Sequence, residues 1–254
     1  MADPFVKRRS PAPPGFFEAE AAGLRWLSDG GARTATVLAV DDEHIELDRV
    51  ATTGPSRENA RSFGGRLARV HDAGAAEYGS PPAGYTGPLY IGQREMGAGI
   101  DASWGRFYGR ERVRPFLGEA VDAGHLTTGE RDVVERACDL VESGAFDGTT
   151  TAPARLHGDL WNGNVLWTRD GVVLIDPAAH GGHRETDLAM LDLFGCPHLD
   201  EIVAAYESAS PLAAGWRSRI PLHQLHPLAV HAAGHGRGYG IALADAAQQT
   251  LALA

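Results

Sequence analysis

The stretch "LHGDLWNGNVLW", Leu156 to Trp167, sets His, Asp, two Asn and two Gly between apolar residues. Three side chains in and after it could do chemistry together. Asp159 and Asn164 lie on one loop. Asp176 ends the run "VVLID", which follows "NVLW" across the turn Arg169-Asp170-Gly171. Two apolar runs joined by such a turn read as a hairpin. A hairpin brings its ends together, so Asn164 and Asp176 are expected as neighbours. An amide oxygen and a carboxylate are hard ligands that suit Mg²⁺, which takes few protein ligands and completes its shell with water and phosphate oxygens. That chemistry is phosphoryl transfer. Asp159, five positions before Asn164, is placed to accept the proton of an attacking hydroxyl. His157 and Gly158 would shape the loop. Taken singly, each of these residues also reads as ordinary turn chemistry.

The elements that must hold this group follow from periodicity. Phe5 to Arg8 reads as a strand, and "RSPAPPG" as a break. Phe17, Ala21, Leu24 and Leu27 recur at helical spacing, and Gly30-Gly31 ends that helix. "TATVLAVDDEHIELDRV" reads as two strands joined at Asp41-Asp42. Asn59 to Ala73 is a helix with Phe63, Leu67 and Val70 on one side. Residues 75–99 form an extended excursion rich in Gly, Pro and Tyr. Ser103 to Ala123 and Thr128 to Ser143 read as two helices, and "ETDLAMLDLFG", "DEIVAAYESAS" and the stretch from Ile220 onward as further ones. The Ala-rich tail favours a helix because Ala is the best helix former. Arg106, Arg110, Arg112 and Arg114 read as a basic, solvated helix face, with an anionic substrate as the alternative use. His231 and His235 stand at i, i+4, a metal-pair spacing, but lack the glutamate of an H-E-x-x-H motif; core or surface histidines are the simpler reading. "HGGH", from His180 to His183, reads either as a substrate border or as a glycine turn.

Composition narrows the partners. The chain has 254 residues, long enough for one large domain or two small ones around a cleft. A formal net charge of −10 argues against nucleic acid as a partner. The two cysteines, Cys138 and Cys196, lack metal-ligand spacing and fit a reducing cytoplasm. No stretch is long and apolar enough for a membrane span, and the start carries no apolar signal core. The expectation is a cytoplasmic protein with neither membrane nor nucleic acid as partner; nothing in the sequence fixes its oligomeric state.

The order of base, metal amide, hairpin and metal carboxylate is that of kinase-like folds. More specifically, "HGDLWNGN" resembles the catalytic loop of the fructosamine (ketosamine) kinase family, relatives of the aminoglycoside phosphotransferases. Trp161, the second residue after Asp159, points to the fructosamine branch. "VLIDPAAHGGHRETDLAM", "SWGRFYGRERVRPFLGEAVDAGHL" and "HQLHPLAVHAAGHGRGYG" are similar to three further segments of that family. The resemblance runs from about Phe5 to about Ala244.

It implies an α+β, protein-kinase-like two-lobed fold. A small mixed lobe would span residues 1–52 and a larger, mainly helical lobe residues 53–254. It implies Asp159 as the base, and Asn164 and Asp176 as Mg²⁺ ligands. Lys7 would hold the α- and β-phosphates of ATP, with Glu20 as its helix partner in preference to Glu18. Asp48, Arg49 and Val50 would form the hinge against adenine. Asp187 and His157 would support the catalytic loop. Trp161 would either stack on the sugar or glycated amine or pack against the helical lobe, and His180 could border the substrate. The implied activity is ATP-dependent phosphorylation of a ketosamine at its 3-hydroxyl, leading to deglycation. Phosphorylation of another small hydroxyl compound, such as an aminoglycoside, is the rival. Only six residues precede Lys7, where kinases of this kind carry two strands and a glycine-bearing phosphate loop. The expectation is therefore a shortened small lobe with weak ATP binding, or a binding module that has lost catalysis.

Overall fold

The computed structural model describes residues 3–97, 99–149 and 152–254. Its first part is a three-stranded antiparallel sheet against one helix. Strands β1 (Phe5–Arg8), β2 (Val37–Val40) and β3 (His44–Leu47) lie in the order β1-β3-β2, with Lys7 opposite Ile45. Helix α1 (Phe16–Asp29) buries Phe17, Ala21, Leu24 and Leu27, the stripe read from the sequence. Phe17, Ala21 and Leu24 close on Ala35, Ile45 and Leu47 to form a small apolar core.

The second part is mostly helical. Ser56 caps α2 (Arg57–Asp72) by accepting a hydrogen bond from the backbone N–H of Asn59. The 75–99 excursion contains a short hairpin, β4 (Tyr90–Ile91) and β5 (Arg94–Glu95). After α3 (Trp104–Phe107) and α4 (Leu117–Asp122), α5 (Thr128–Glu142) starts at a capping box of Thr127 and Glu130. Strand β6 (Ala154–Leu156) precedes the hairpin β7 (Val165–Thr168) and β8 (Gly171–Leu174), and β9 (His180–Gly182) follows it. Helices α6 (Glu185–Leu193), α7 (Leu199–Ala209), α8 (Ile220–Gly234) and α9 (Arg237–Leu251) complete the chain. Among the described residues, no helix is long and apolar enough to cross a membrane.

Two sequence expectations are corrected. The single helix from Ser103 to Ala123 is instead α3, a π-helical turn over Tyr108–Val113, a 3₁₀ turn over Arg114–Phe116, and α4. Pro115 offers no N–H to a continuous ladder, so the backbone changes pitch there. The basic run also divides. Arg106, Arg110 and Arg114 recur every fourth residue and pair with Asp101, Glu142 and Asp139. Arg112, two residues on from Arg110, falls on the other side of the turn and is buried, at 1% exposure. The second correction is "HGGH", whose first three residues are strand β9, paired antiparallel with β6 so that Leu156 faces His180. Each strand has three residues and its partner lies far along the chain, so no local pattern marks either one.

Helix packing is tight enough to decide single residues. A Cβ added at Gly64 on α2 would lie 2.0 Å from the carbonyl oxygen of Ile202 on α7, whereas one at Gly65 would meet nothing within 4 Å. Gly→Ala in a helix normally stabilises by up to about 1 kcal/mol. Gly65→Ala is expected to do so. Gly64→Ala is expected to destabilise by about 1–3 kcal/mol through overpacking. Urea unfolding of the two variants should therefore move in opposite directions.

The interior also holds many neutral histidines. Burial pushes the pKa of His157, His180, His183, His223, His226 and His231 below the ordinary imidazole value. A base with a depressed folded pKa binds fewer protons folded than unfolded. Its stabilising effect is complete above the unfolded pKa near 6.5 and is lost as pH falls toward the folded value. Each such histidine therefore makes the folded state less favourable as pH falls below that unfolded value. Urea midpoints should fall as pH drops below about 6.5; a flat midpoint would contradict this account.

Candidate active site

The catalytic loop leaves β6 and is fixed by one buried carboxylate. Asp187, in the first turn of α6, accepts the backbone N–H of His157 at 2.8 Å and of Gly158 at 3.0 Å. His71 on α2 places Nε2 3.1 Å from the same carboxylate, and its Nδ1 lies 2.8 Å from the Tyr206 hydroxyl on α7. Burial alone would raise the Asp187 pKa. The bond and charge of His71, together with the loop, hold it below the usual carboxylate value. Gly158 has φ +82°, and a Cβ there would lie 2.1 Å from the Ala178 carbonyl oxygen. The catalytic loop and the segment after β8 can approach this closely only through glycine.

The hairpin delivers the second half of the site. Val165 pairs with Leu174, and the N–H of Ile175 donates to the Asn164 carbonyl at 3.2 Å. Asn164 is buried. Its Nδ2 donates to the Asp159 carbonyl at 2.8 Å and to Asp159 Oδ2 at 3.1 Å, with the Asp176 carbonyl at 3.5 Å. That leaves Asn164 Oδ1 as the side chain's acceptor. Asp176 sits at φ 53°, in the left-handed region, which Asp tolerates better than most residues. Lys7 reaches across from β1, placing Nζ 2.7 Å from Glu20 Oε1 and against Asp176 Oδ1. Burial opposes the charge on Lys7, yet its two carboxylate neighbours raise its pKa overall. Burial pushes the Asp159 carboxyl up to about 7; the charges of Asp176 and Asp187 add to this, and the bond from Asn164 opposes it.

These groups share one cleft of about 370 Å³, lined by Lys7, Glu20, Asp159, Trp161, Asn164 and Asp176 among others. A second cavity of about 200 Å³ is lined by Phe5, Ala35, Leu47, Asp48, Arg49, Val50, Leu166 and Ile175. Lys7 and Asp176 border both, so the two cavities meet at that ion pair. Beside this cavity, the Asp48 carboxylate accepts the Thr36 N–H, and the Arg49 guanidinium reaches the Asp3 carbonyl at 3.2 Å. Both side chains thereby tie residues 48 and 49 to neighbouring backbone. Trp161 is 40% exposed at the cleft, with its edge toward Phe194.

Phe16, Tyr90 and Gln93 also line the cleft and were not expected from the sequence. Tyr90 comes from the excursion, which folds back over the start of α1 so that its hydroxyl donates to the Pro14 carbonyl at 2.8 Å. No spacing rule would have found it. The expectation that His180 borders the substrate is corrected. Its β9 position buries it at 3% exposure, with Nδ1 2.8 Å from the Ala178 carbonyl and Nε2 3.3 Å from Arg112 Nε. His231 and His235 stack at 5.0 Å, and His231 Nδ1 is engaged by the Pro227 carbonyl at 2.7 Å.

His183, Glu185 and His223 have metal-type donor atoms within 4.8 Å of one another. The donors of His183 and Glu185 are already engaged, and His223 Nε2 lies 3.2 Å from Glu185 Oε2. Arg219 takes both Glu185 oxygens at 2.6 and 2.9 Å, and His183 accepts the Glu185 N–H at 3.1 Å while facing the Thr149 hydroxyl at 3.0 Å. The cluster is a buried ion and hydrogen-bond network.

Comparison with known proteins supplies the family. A probable ketoamine kinase of Enterococcus faecium is 30% identical over 93% of this chain and 83% of its own length. The crystal structure of a candidate fructosamine-3-kinase from Thermobifida fusca superposes with a TM-score of 0.91 at 46% identity, covering 98% of this chain and 85% of that one. The choline kinase LicA of Streptococcus pneumoniae, at 15% identity and a TM-score of 0.63 over 98% of this chain and 85% of its own, shares the fold. The sequence profile of the fructosamine kinase family matches residues 2–253, and the chain belongs to that family.

Proposed function

We propose that this cleft transfers the γ-phosphoryl group of ATP to a sugar hydroxyl of a ketosamine. By analogy with relatives such as the ketosamine-3-kinase of Mus musculus, the acceptor is the 3-hydroxyl. The phosphorylated adduct then breaks down and releases the amine. The observation that carries this reading is the meeting of Asp159, Asn164, Asp176, Lys7 and Glu20, from four separate segments, in one cleft.

Each residue has a physical task. The apolar cavity beside residues 48–50 suits a flat adenine ring, with main-chain groups reading its edge. Lys7 lies where that cavity opens into the cleft and is held by Glu20, so its charge meets the phosphates at a fixed point. The donor set fits Mg²⁺, since Asn164 Oδ1 and the Asp176 carboxylate are hard oxygens on the same wall. When bound, the ion would neutralise phosphate charge. Asp159 faces the same cleft and would orient the acceptor hydroxyl and take its proton. Its raised pKa makes it a better proton acceptor than an ordinary carboxylate. Exposed Trp161 offers a flat apolar surface for the sugar or its amine substituent.

Two experiments test the assignment. Asp159→Asn should keep the fold and reduce turnover of a fructose-modified amine by roughly 10²-fold or more, the usual range for a lost general base. Retention of a tenth of the wild-type rate would remove Asp159 from that role. Asp176→Ala should weaken nucleotide binding in the presence of Mg²⁺ and leave metal-free binding nearly unchanged. Calorimetric titration under both conditions separates this from a general structural loss, which would weaken both equally.

A further inference from the structure

Asp176 lies between two buried histidines. On one side, His157 places Nε2 2.9 Å from the carbonyl of Ile175, the residue before Asp176. Its Nδ1 accepts the Asp159 N–H at 3.2 Å, so Nε2 must be the donor. On the other side, His180 places Nδ1 2.8 Å from the carbonyl of Ala178, two residues after Asp176. Its Nε2 faces Arg112 Nε at 3.3 Å. A guanidinium has only donors. His180 Nε2 must therefore be unprotonated, and Nδ1 must carry the hydrogen given to Ala178. Arg112 thus selects the tautomer that grips the segment after Asp176.

The surroundings suit this task. Arg112 is buried, its Nη1 donates to the carbonyls of Gly97 and Glu111, and its guanidinium lies 4.5 Å from the Phe107 ring centroid. No carboxylate forms an ion pair with it among the described residues. A buried charge without an ionic partner is costly, so a role beyond pairing is called for. The π-helical turn over Tyr108–Val113 carries it, and such turns recur at functional sites. The Ala178 carbonyl that His180 holds is the atom against which Gly158 of the catalytic loop packs.

We infer that Arg112 and His180 are positioning residues: by fixing the Ala178 carbonyl, they hold Asp176 in its left-handed conformation, with its carboxylate presented to the metal and Lys7. The inference rests on Asp176 being the Mg²⁺-facing carboxylate proposed above. Neither residue touches the cleft, and both act through the backbone.

The test uses the whole chain. In long-range ¹⁵N–¹H imidazole spectra, His180 should show a neutral ring protonated at Nδ1. A ring protonated at Nε2, or at both nitrogens, overturns the inference. Binding of a non-hydrolysable ATP analogue is then titrated with Mg²⁺. His180→Phe keeps a ring but no donor and should raise the Mg²⁺ needed for half-saturation about tenfold, the lower range for lost outer-shell support, with metal-free nucleotide affinity unchanged. His180→Asn, which places an amide donor near the Nδ1 position, should recover most of that affinity. If His180→Phe does not fold, Arg112→Met serves, because it removes every donor that faces His180 Nε2 and should shift both the tautomer and the Mg²⁺ requirement. Asp176→Ala is the comparator. A shift in Asp176→Ala with none in His180→Phe or Arg112→Met defeats the positioning role alone. No shift in Asp176→Ala defeats the metal assignment and the inference with it.

Discussion

The site depends on the buried carboxylate of Asp187. An isolated charge in an interior of low dielectric is strongly unfavourable. Here it is offset by two backbone N–H groups of the catalytic loop and by His71. Those bonds work in both directions. They keep Asp187 ionised, and they set the backbone of His157 and Gly158, from which Asp159 follows. Because His71 is bonded in turn to Tyr206, the loop is referenced to α2 and α7 together. The close contact of those two helices at Gly64 is therefore part of what places Asp159.

A second constraint ties the sheet to the cleft. Lys7 sits on β1 and Glu20 on α1, whereas Asp176 follows β8, and one ammonium group joins all three. Pair energies of partly exposed ions are small, about 1 kcal/mol or less. The value of the contact lies in geometry, since it sets the distance between the apolar cavity and the polar cleft. The network of Glu185, Arg219, His183 and His223 has a similar character behind the site. Buried ion pairs add little net stability, but they admit few arrangements, and this one fixes the start of α6 two residues before Asp187.

The reading from sequence and the structure agree where the information is local. The helical stripe of α1, the hairpin at Asp41-Asp42, the apolar side of α2, and the β7–β8 turn are set by periods of 3.6 and 2 and by turn residues, all visible in a short window. The juxtaposition of Asn164 and Asp176 was legible for the same reason, because hairpin ends must meet. Lys7 and Glu20 were legible only by resemblance: nothing within "FVK" or "FFEAEAAGL" says that they touch each other or face Asp176.

By itself, then, the sequence determined the elements and the turn chemistry, and it named the residues proposed as oxygen ligands on the loop after β6 and on the hairpin. Tertiary structure decided the rest. It turned Arg112 inward from a basic run and broke the expected long helix at Pro115. It made a strand of "HGGH" and moved His180 from the substrate wall into the core. It also brought Tyr90 from a Gly- and Pro-rich excursion to the cleft. The physical reason is range. Periodicity and turn preference are written over a few neighbouring residues, whereas burial, cross-strand partners and hydrogen bonds between segments more than a hundred positions apart exist only once the chain has closed on itself.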